Sequence, residues 1–167
     1  KRIYDDRLVT SQQLGKILDT WYQIRKLTED SVDMNEIENA RRNLGTANNL
    51  VRQNESVWAE YLKTQLTPEE AVLSKTKGNQ HVQYVESFNR SLQLATTGNF
   101  VDAKQNFLND TIPKFDALRN TVFALLDLQG TVASEELVAS QNNFNTLFMV
   151  LVSVMIMSVV LAIIFGI

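Results

Sequence analysis

From Leu147 to Ile167 the chain reads LFMVLVSVMIMSVVLAIIFGI, 21 residues without a charged side chain. At ~1.5 Å per residue a helix of that length reaches roughly 30 Å, the thickness of a bilayer's hydrocarbon core. A chain of 167 residues has too little else with which to surround such a helix. The run therefore predicts a membrane span over residues 146–167. Ser153 and Ser158 are tolerable inside it, because a serine hydroxyl can bond its own helix backbone, and Gly166 is acceptable in a membrane helix. The run lies at the C-terminus, so it does not read as a secretory signal. No polar flank follows it, and we expect the chain to belong to something longer.

The residues before it are expected to be helical as well. Six Gly and two Pro in 167 residues leave few breakers, which favours long helices. A first helix is predicted from about Lys1 to about Asp30, with Leu14, Ile17, Trp21 and Ile24 as its apolar stripe. It has no evident N-cap, so we expect it to continue upstream. Ser31–Asn35 is a polar break. A second helix, from about Glu36 to Gln65, carries Ile37, Ala40, Leu44, Ala47, Val51, Asn54, Trp58 and Tyr61 at seven-residue spacing, which suits coiled-coil-like packing. The third has the clearest start: Thr67 can cap, Pro68 fits the first helical position, and Glu70 completes a capping box. Its expected stripe is Ala71, Ser74, Gly78, His81, Val85, Phe88, Leu92 and Ala95, and Gly98 fits its end. After a short amphipathic segment (Phe100, Val101, Ala103, Phe107, Leu108), Thr111 and Pro113 are expected to open a fourth helix. Its stripe is Phe115, Leu118, Val122, Leu125 and Val132, and nothing separates it from the apolar run.

Four such helices joined by short turns must run up, down, up and down. The expected fold is all-α, an antiparallel four-helix bundle over residues 1–145 whose fourth helix continues into a transmembrane helix over 146–167. With both ends of the bundle at the membrane, another span is expected just before Lys1.

Particular residues add a resemblance. Tyr4-Asp5-Asp6-Arg7-Leu8-Val9, followed by Gln13-Leu14, resembles the YxxRLxP-like opening of the four-helix-bundle sensor domains of methyl-accepting chemotaxis proteins. Trp58, Tyr61 and Leu62 before Leu66-Thr67-Pro68-Glu69-Glu70 resemble their WxxYLxTxLTPEE turn. Ile112-Pro113 with Leu125, Leu128 and Gln129 resembles their YPxxxxxxxxLxxLxxLQ stretch. The resemblance covers nearly the whole chain and departs at Thr10, where the family usually has proline, and at Ile112, often tyrosine. It implies a homodimer in the cytoplasmic membrane of a bacterium, with the bundle in the periplasm, a small ligand bound outside, and a histidine kinase engaged through further cytoplasmic parts. The same sensor occurs on histidine kinases and diguanylate cyclases, so the output stays open.

The formal net charge of −3 is too small to imply a nucleic-acid partner, and with no cysteine there is neither a disulfide nor a Cys-ligated metal site. There is no nucleophile motif and no Gly-rich phosphate loop, so no enzyme and no cofactor are expected. His81, the only histidine, lacks visible metal-binding partners and reads as a packed histidine. Placed by height, Arg25, Arg41, Arg42, Arg90 and Arg119 all fall roughly 8–12 Å from the end far from the membrane. Guanidinium forks suit carboxylates, and Thr121 could add a hydroxyl. A distal site for a small carboxylate is expected among them, against the alternative that these arginines face solvent or pair with Glu36, Glu38 and Glu86. Arg7, Lys16 and Arg25 lack the i, i+5, i+9 arginine spacing of the amino-acid receptors, so no amino-acid specificity is inferred. Trp21, Tyr22, Trp58, Tyr61, Tyr84 and Phe88 read as core that could line a pocket. The competing reading is a tail-anchored coiled-coil protein, which predicts one long exposed seam.

Overall fold

A computed structural model describes residues 2–165 of the chain, with the side chains of 9–135 and 137–157. Every element among them is helical: α1 (Arg2–Asp33), α2 (Ile37–Tyr61), α3 (Pro68–Thr96), α4 (Phe100–Asn106), a π turn (Phe107–Thr111) and α5 (Ile112–Phe165). The chain divides into two compact units, Lys1–Gln129 and Gly130–Ile167.

In the first unit four long helices surround one core. Leu14, Ile17, Trp21 and Ile24 come from α1, Ala47, Val51 and Tyr61 from α2, Tyr84, Phe88 and Leu92 from α3, and Phe115, Leu118, Val122 and Leu125 from α5. Cross-helix hydrogen bonds set the directions. Asn54 bonds the Ile17 carbonyl and Asn43 the Leu27 carbonyl, so α1 and α2 run oppositely. Ser87 meets Thr111 while Glu70 meets Gln129, so α3 and α5 do too. Val32, Ala40, Ala95, Ala103 and Phe107 form a second apolar cluster under the turns α1–α2 and α3–α4.

The helix ends depart slightly from expectation. The first helix extends through Ser31 to Asp33, because the Ser31 hydroxyl returns its bond to the Leu27 carbonyl, 2.7 Å away, as Thr28 does to Ile24. Asn35, with φ of 56°, makes the reversal. The second helix stops at Tyr61, where the Thr64 hydroxyl caps the Tyr61 carbonyl. The third begins as expected, with both bonds of the Thr67–Glu70 capping box present, and closes on Gly98 at φ of 80°.

The largest difference on the bundle side lies before Pro113. The expected fresh start of a fourth helix is instead a π turn running straight into α5, with the Ile112 N–H bonded to the Phe107 carbonyl. Pro113 has no N–H to give, and a widened turn relieves its ring of the carbonyl it would otherwise meet. Side chains hold this turn: Thr111 bonds Ser87 (2.8 Å) and Ser91 (3.1 Å), and Asn106 bonds the Ser87 carbonyl (3.0 Å).

The second unit is the remainder of α5 from Gly130. Leu147–Leu151 and Val154–Met157 carry exposed apolar side chains, and Ser153 bonds the Met149 carbonyl at 2.8 Å, the backbone bond expected of it. Ser158 and the side chains after it, part of the predicted span, lie outside the described residues. Among the described residues no helix is long and apolar enough to cross a membrane.

Candidate functional site

Two of the five arginines meet on one ring. Arg25, from α1, places its guanidinium carbon 5.3 Å from the centroid of Phe115 on α5, and Arg119, one turn beyond Phe115, places its own at 5.9 Å. Tyr22 meets the same ring edge-on at 5.1 Å. Phe115 is fully buried, whereas Tyr22 is partly open to solvent. Between α1 and α5 one aromatic ring thus holds two guanidinium groups, the geometry in which a guanidinium is attracted by the ring quadrupole.

The two arginines differ in how they are satisfied. Arg119 is paired with Asp116 at 3.0 Å and bonds Asn120. Arg25 makes no ion pair among the described residues, and its Nε is buried with no hydrogen-bond partner there. A buried donor on a charged group without an acceptor is costly to leave so, by roughly 1–3 kcal/mol or more. An anion reaching Arg25 would supply that acceptor.

The other predicted residues stand apart from this ring. Arg41 pairs with Glu38 at 2.6 Å on an exposed face, and Arg42 is exposed. Arg90 lines a shallow groove of about 300 Å³ with Leu94, Asp102, Gln105, Asn106 and Asp110. In that groove the Lys114 ammonium and the Ser87 hydroxyl hold the Asp110 carboxyl below its ordinary range. Thr121 is nearly buried and donates to the Ala117 carbonyl. It lies two residues from Arg119, which on a helix is close to the opposite face. Phe115 was legible only as core; its spacing of four to Arg119 was the available signal.

A second polar feature sits in the middle of the bundle. Lys77 is 1% exposed and makes no ion pair among the described residues. Its ammonium lies 3.9 Å above the Trp58 ring centroid and 6.0 Å from that of Trp21. One turn along α3, His81 bonds Glu55 of α2 at 3.3 Å and meets Trp21 edge-on. Burial pushes the Lys77 ammonium down to about 7, against the lesser pull of Glu55. His81 is also lowered, first by burial and then by Lys77, and burial raises the Tyr84 phenol. The packed reading of His81 fits these contacts. Lys77 was not anticipated from the sequence.

Toward the other end, Gln129 gathers all four long helices. It accepts from Thr10 of α1 at 2.9 Å, donates to Glu70 of α3, and approaches the Tyr61 hydroxyl of α2 at 3.5 Å. Tyr61, Glu70 and Gln129 come from stretches separately singled out in the sequence, and here they form one layer.

A family model described as a four helix bundle sensory module for signal transduction matches residues 1–144. The chain belongs to that family. No curated protein matches it. The fold and the family together define a sensory module rather than a catalytic domain, as the resemblance implied.

Proposed function

We propose that this chain is the outward-facing sensor of a bacterial chemoreceptor, and that it binds a small carboxylate between α1 and α5. The observation that carries the ligand reading is the buried, unpartnered Nε of Arg25 beside a ring shared with Arg119. A carboxylate offers two oxygens in one plane, which suits a guanidinium fork, and Arg119 can exchange Asp116 for it. Residues 146–167 anchor the protein in the cytoplasmic membrane, residues 1–145 stand in the periplasm, and two copies associate. A bound ligand favours one packing of α1 against α5, and α5 carries the difference toward the membrane. The output is a histidine kinase reached through cytoplasmic parts; the alternative is the same sensor on a histidine kinase or diguanylate cyclase itself.

Thermal unfolding of the full chain in detergent micelles, screened against di- and tricarboxylates, amino acids and neutral compounds, tests the ligand. A true ligand at a hundred times its dissociation constant stabilises the fold by ~2.7 kcal/mol. We expect a carboxylate hit that Arg25→Ala and Arg119→Ala each abolish while the unliganded fold persists. A hit that survives both substitutions would place the ligand elsewhere.

A further inference from the structure

From the Arg25–Phe115–Arg119 cluster to the Gln129 layer runs a series of neighbouring side chains. Phe115 meets Tyr84 at 5.7 Å, Tyr84 meets Trp21 at 5.4 Å, Lys77 lies between Trp21 and Trp58, and Trp58 stacks on Tyr61 at 4.9 Å. Tyr61 reaches Gln129. Every member but one is an aromatic ring; the exception is an ammonium. At that position an uncharged side chain of the same length would fill the space without the cost of burying a charge.

We propose that Lys77 is a proton-operated element of this sensor, taking up a proton as the outside acidifies and thereby altering the packing of Trp58 against α3. The inference rests on the outward-facing reading above but not on the carboxylate. It stands on three observations. First, Lys77 is enclosed, with its ammonium 3.9 Å over the Trp58 ring and no carboxylate within ion-pair distance among the described residues. Second, titratable groups lead from the surface toward it. Glu55 is half exposed, His81 bonds it at 3.3 Å, and His81 lies one turn from Lys77 on the same helix. Third, the surrounding polar groups are not committed. Trp21 Nε1, His81 Nδ1 and the Tyr84 hydroxyl are all buried with no hydrogen-bond partner among the described residues.

The charges that act on this site come from few places. From α2, Glu55 pulls the Lys77 ammonium toward its charged form; on α3 itself, His81 and Lys77 oppose each other's charge. From α1 the side chain facing Lys77 is Trp21, and the Arg25 charge one turn further on acts on Tyr84. From α5, Phe115 reaches Tyr84 with no titratable group. Charged Lys77 is held over the Trp58 face by the ring quadrupole, whereas neutral Lys77 is not. With burial holding the ammonium at about 7, that change falls in a range an external compartment crosses. Trp58 passes it on to Tyr61, and so to the layer where α5 is held.

The two tryptophans of the chain are Trp21 and Trp58, so its indole fluorescence reports on this site alone. We would titrate the full chain in detergent micelles from about pH 5.5 to 9. The expected result is a single sigmoidal change in emission centred near pH 7. It should be lost in Lys77→Met, which cannot be charged, and in Lys77→Arg, which cannot be neutral, so that either variant suffices if the other fails to fold. Trp21→Phe should keep the transition, since Trp58 lies closer to the ammonium. A flat wild-type curve, or a transition that survives both Lys77 substitutions, overturns the proposal.

Discussion

Thr10 donates a 2.9 Å hydrogen bond to Gln129, joining residues 119 positions apart and tying the start of α1 to α5. Gln129 in turn donates to Glu70, which is fully buried and also closes the Thr67 capping box. Replacing the amide by an apolar group takes one partner from each of these buried groups. Gln129→Leu is expected to lower stability by about 1–3 kcal/mol, as lost partners of buried polar groups do. Chemical denaturation of the full chain in micelles measures it. A loss below about half a kcal/mol would mean that the layer is not held through Gln129.

Phe115 supports both the core and the arginine pair, and the two roles separate by substitution. Phe115→Ala should cost about 3–5 kcal/mol through the cavity it leaves. Phe115→Leu keeps most of the apolar volume and removes the ring that Arg25 and Arg119 share. We expect a fold within about 1.5 kcal/mol of wild type for this swap, together with weakened carboxylate stabilisation. Unchanged ligand stabilisation in Phe115→Leu would remove the ring from the site.

Stability should rise with pH from mildly acid to alkaline. Lys77 is held at about 7 in the fold against an ordinary 10.5, so between these values the unfolded chain binds more protons and raising the pH favours the fold. Below pH 7 the penalty of burying its charge is fully present. His81, lowered from 6.5, has the same sign on the acid side of that value. Asp110, held low by Lys114 and Ser87, adds stability above the usual carboxylate range that is lost as pH falls through it. Thermal unfolding from pH 6 to 9 should therefore show a midpoint that climbs, and Lys77→Met should flatten the climb and raise the midpoint most at pH 6. An equal slope in the two proteins would contradict this.

The membrane role of residues 146–167 can be tested at Ile156, an exposed apolar residue of α5 in the middle of that stretch. An arginine near the centre of a spanning helix costs about 2.5–3.5 kcal/mol on insertion. Ile156→Arg should shift much of the expressed chain out of the membrane fraction, while Leu147→Arg, at the end, should shift less. Equal partitioning of both with wild type would argue against a span.

Much of the fold was legible because its signals are local. The capping box of Thr67 and Glu70 and the reversal at Gly98 depend on a few adjacent residues, and the structure has them where the sequence put them. The stripe of α1 was equally clear, since Leu14, Ile17, Trp21 and Ile24 are apolar and all buried. The π turn before Pro113 was hidden, because it is held by Ser87 and Ser91 from another helix, and no short-range pattern announces such partners.

The face of α3 shows where sequence reading stops. Apolar spacing pointed to Ala71, Gly78, Val85 and Leu92 together with Ser74, His81, Phe88 and Ala95. The buried set keeps Ser74, Phe88, Leu92 and Ala95 but joins them with Glu70, Lys77, Tyr84 and Ser91, one residue earlier in the heptad, and with Ser87, and leaves Ala71 exposed. The sequence by itself determined that α3 would be a helix with a seven-residue seam and where it would start, because helix period and caps are properties of the local chain. Which side of that seam faced inward was decided by the tertiary structure. Only there do Gln129 meet Glu70, Trp58 meet Lys77 and Trp21 meet Tyr84, and these partners offset the cost of burying polar groups that hydropathy alone assigns to water.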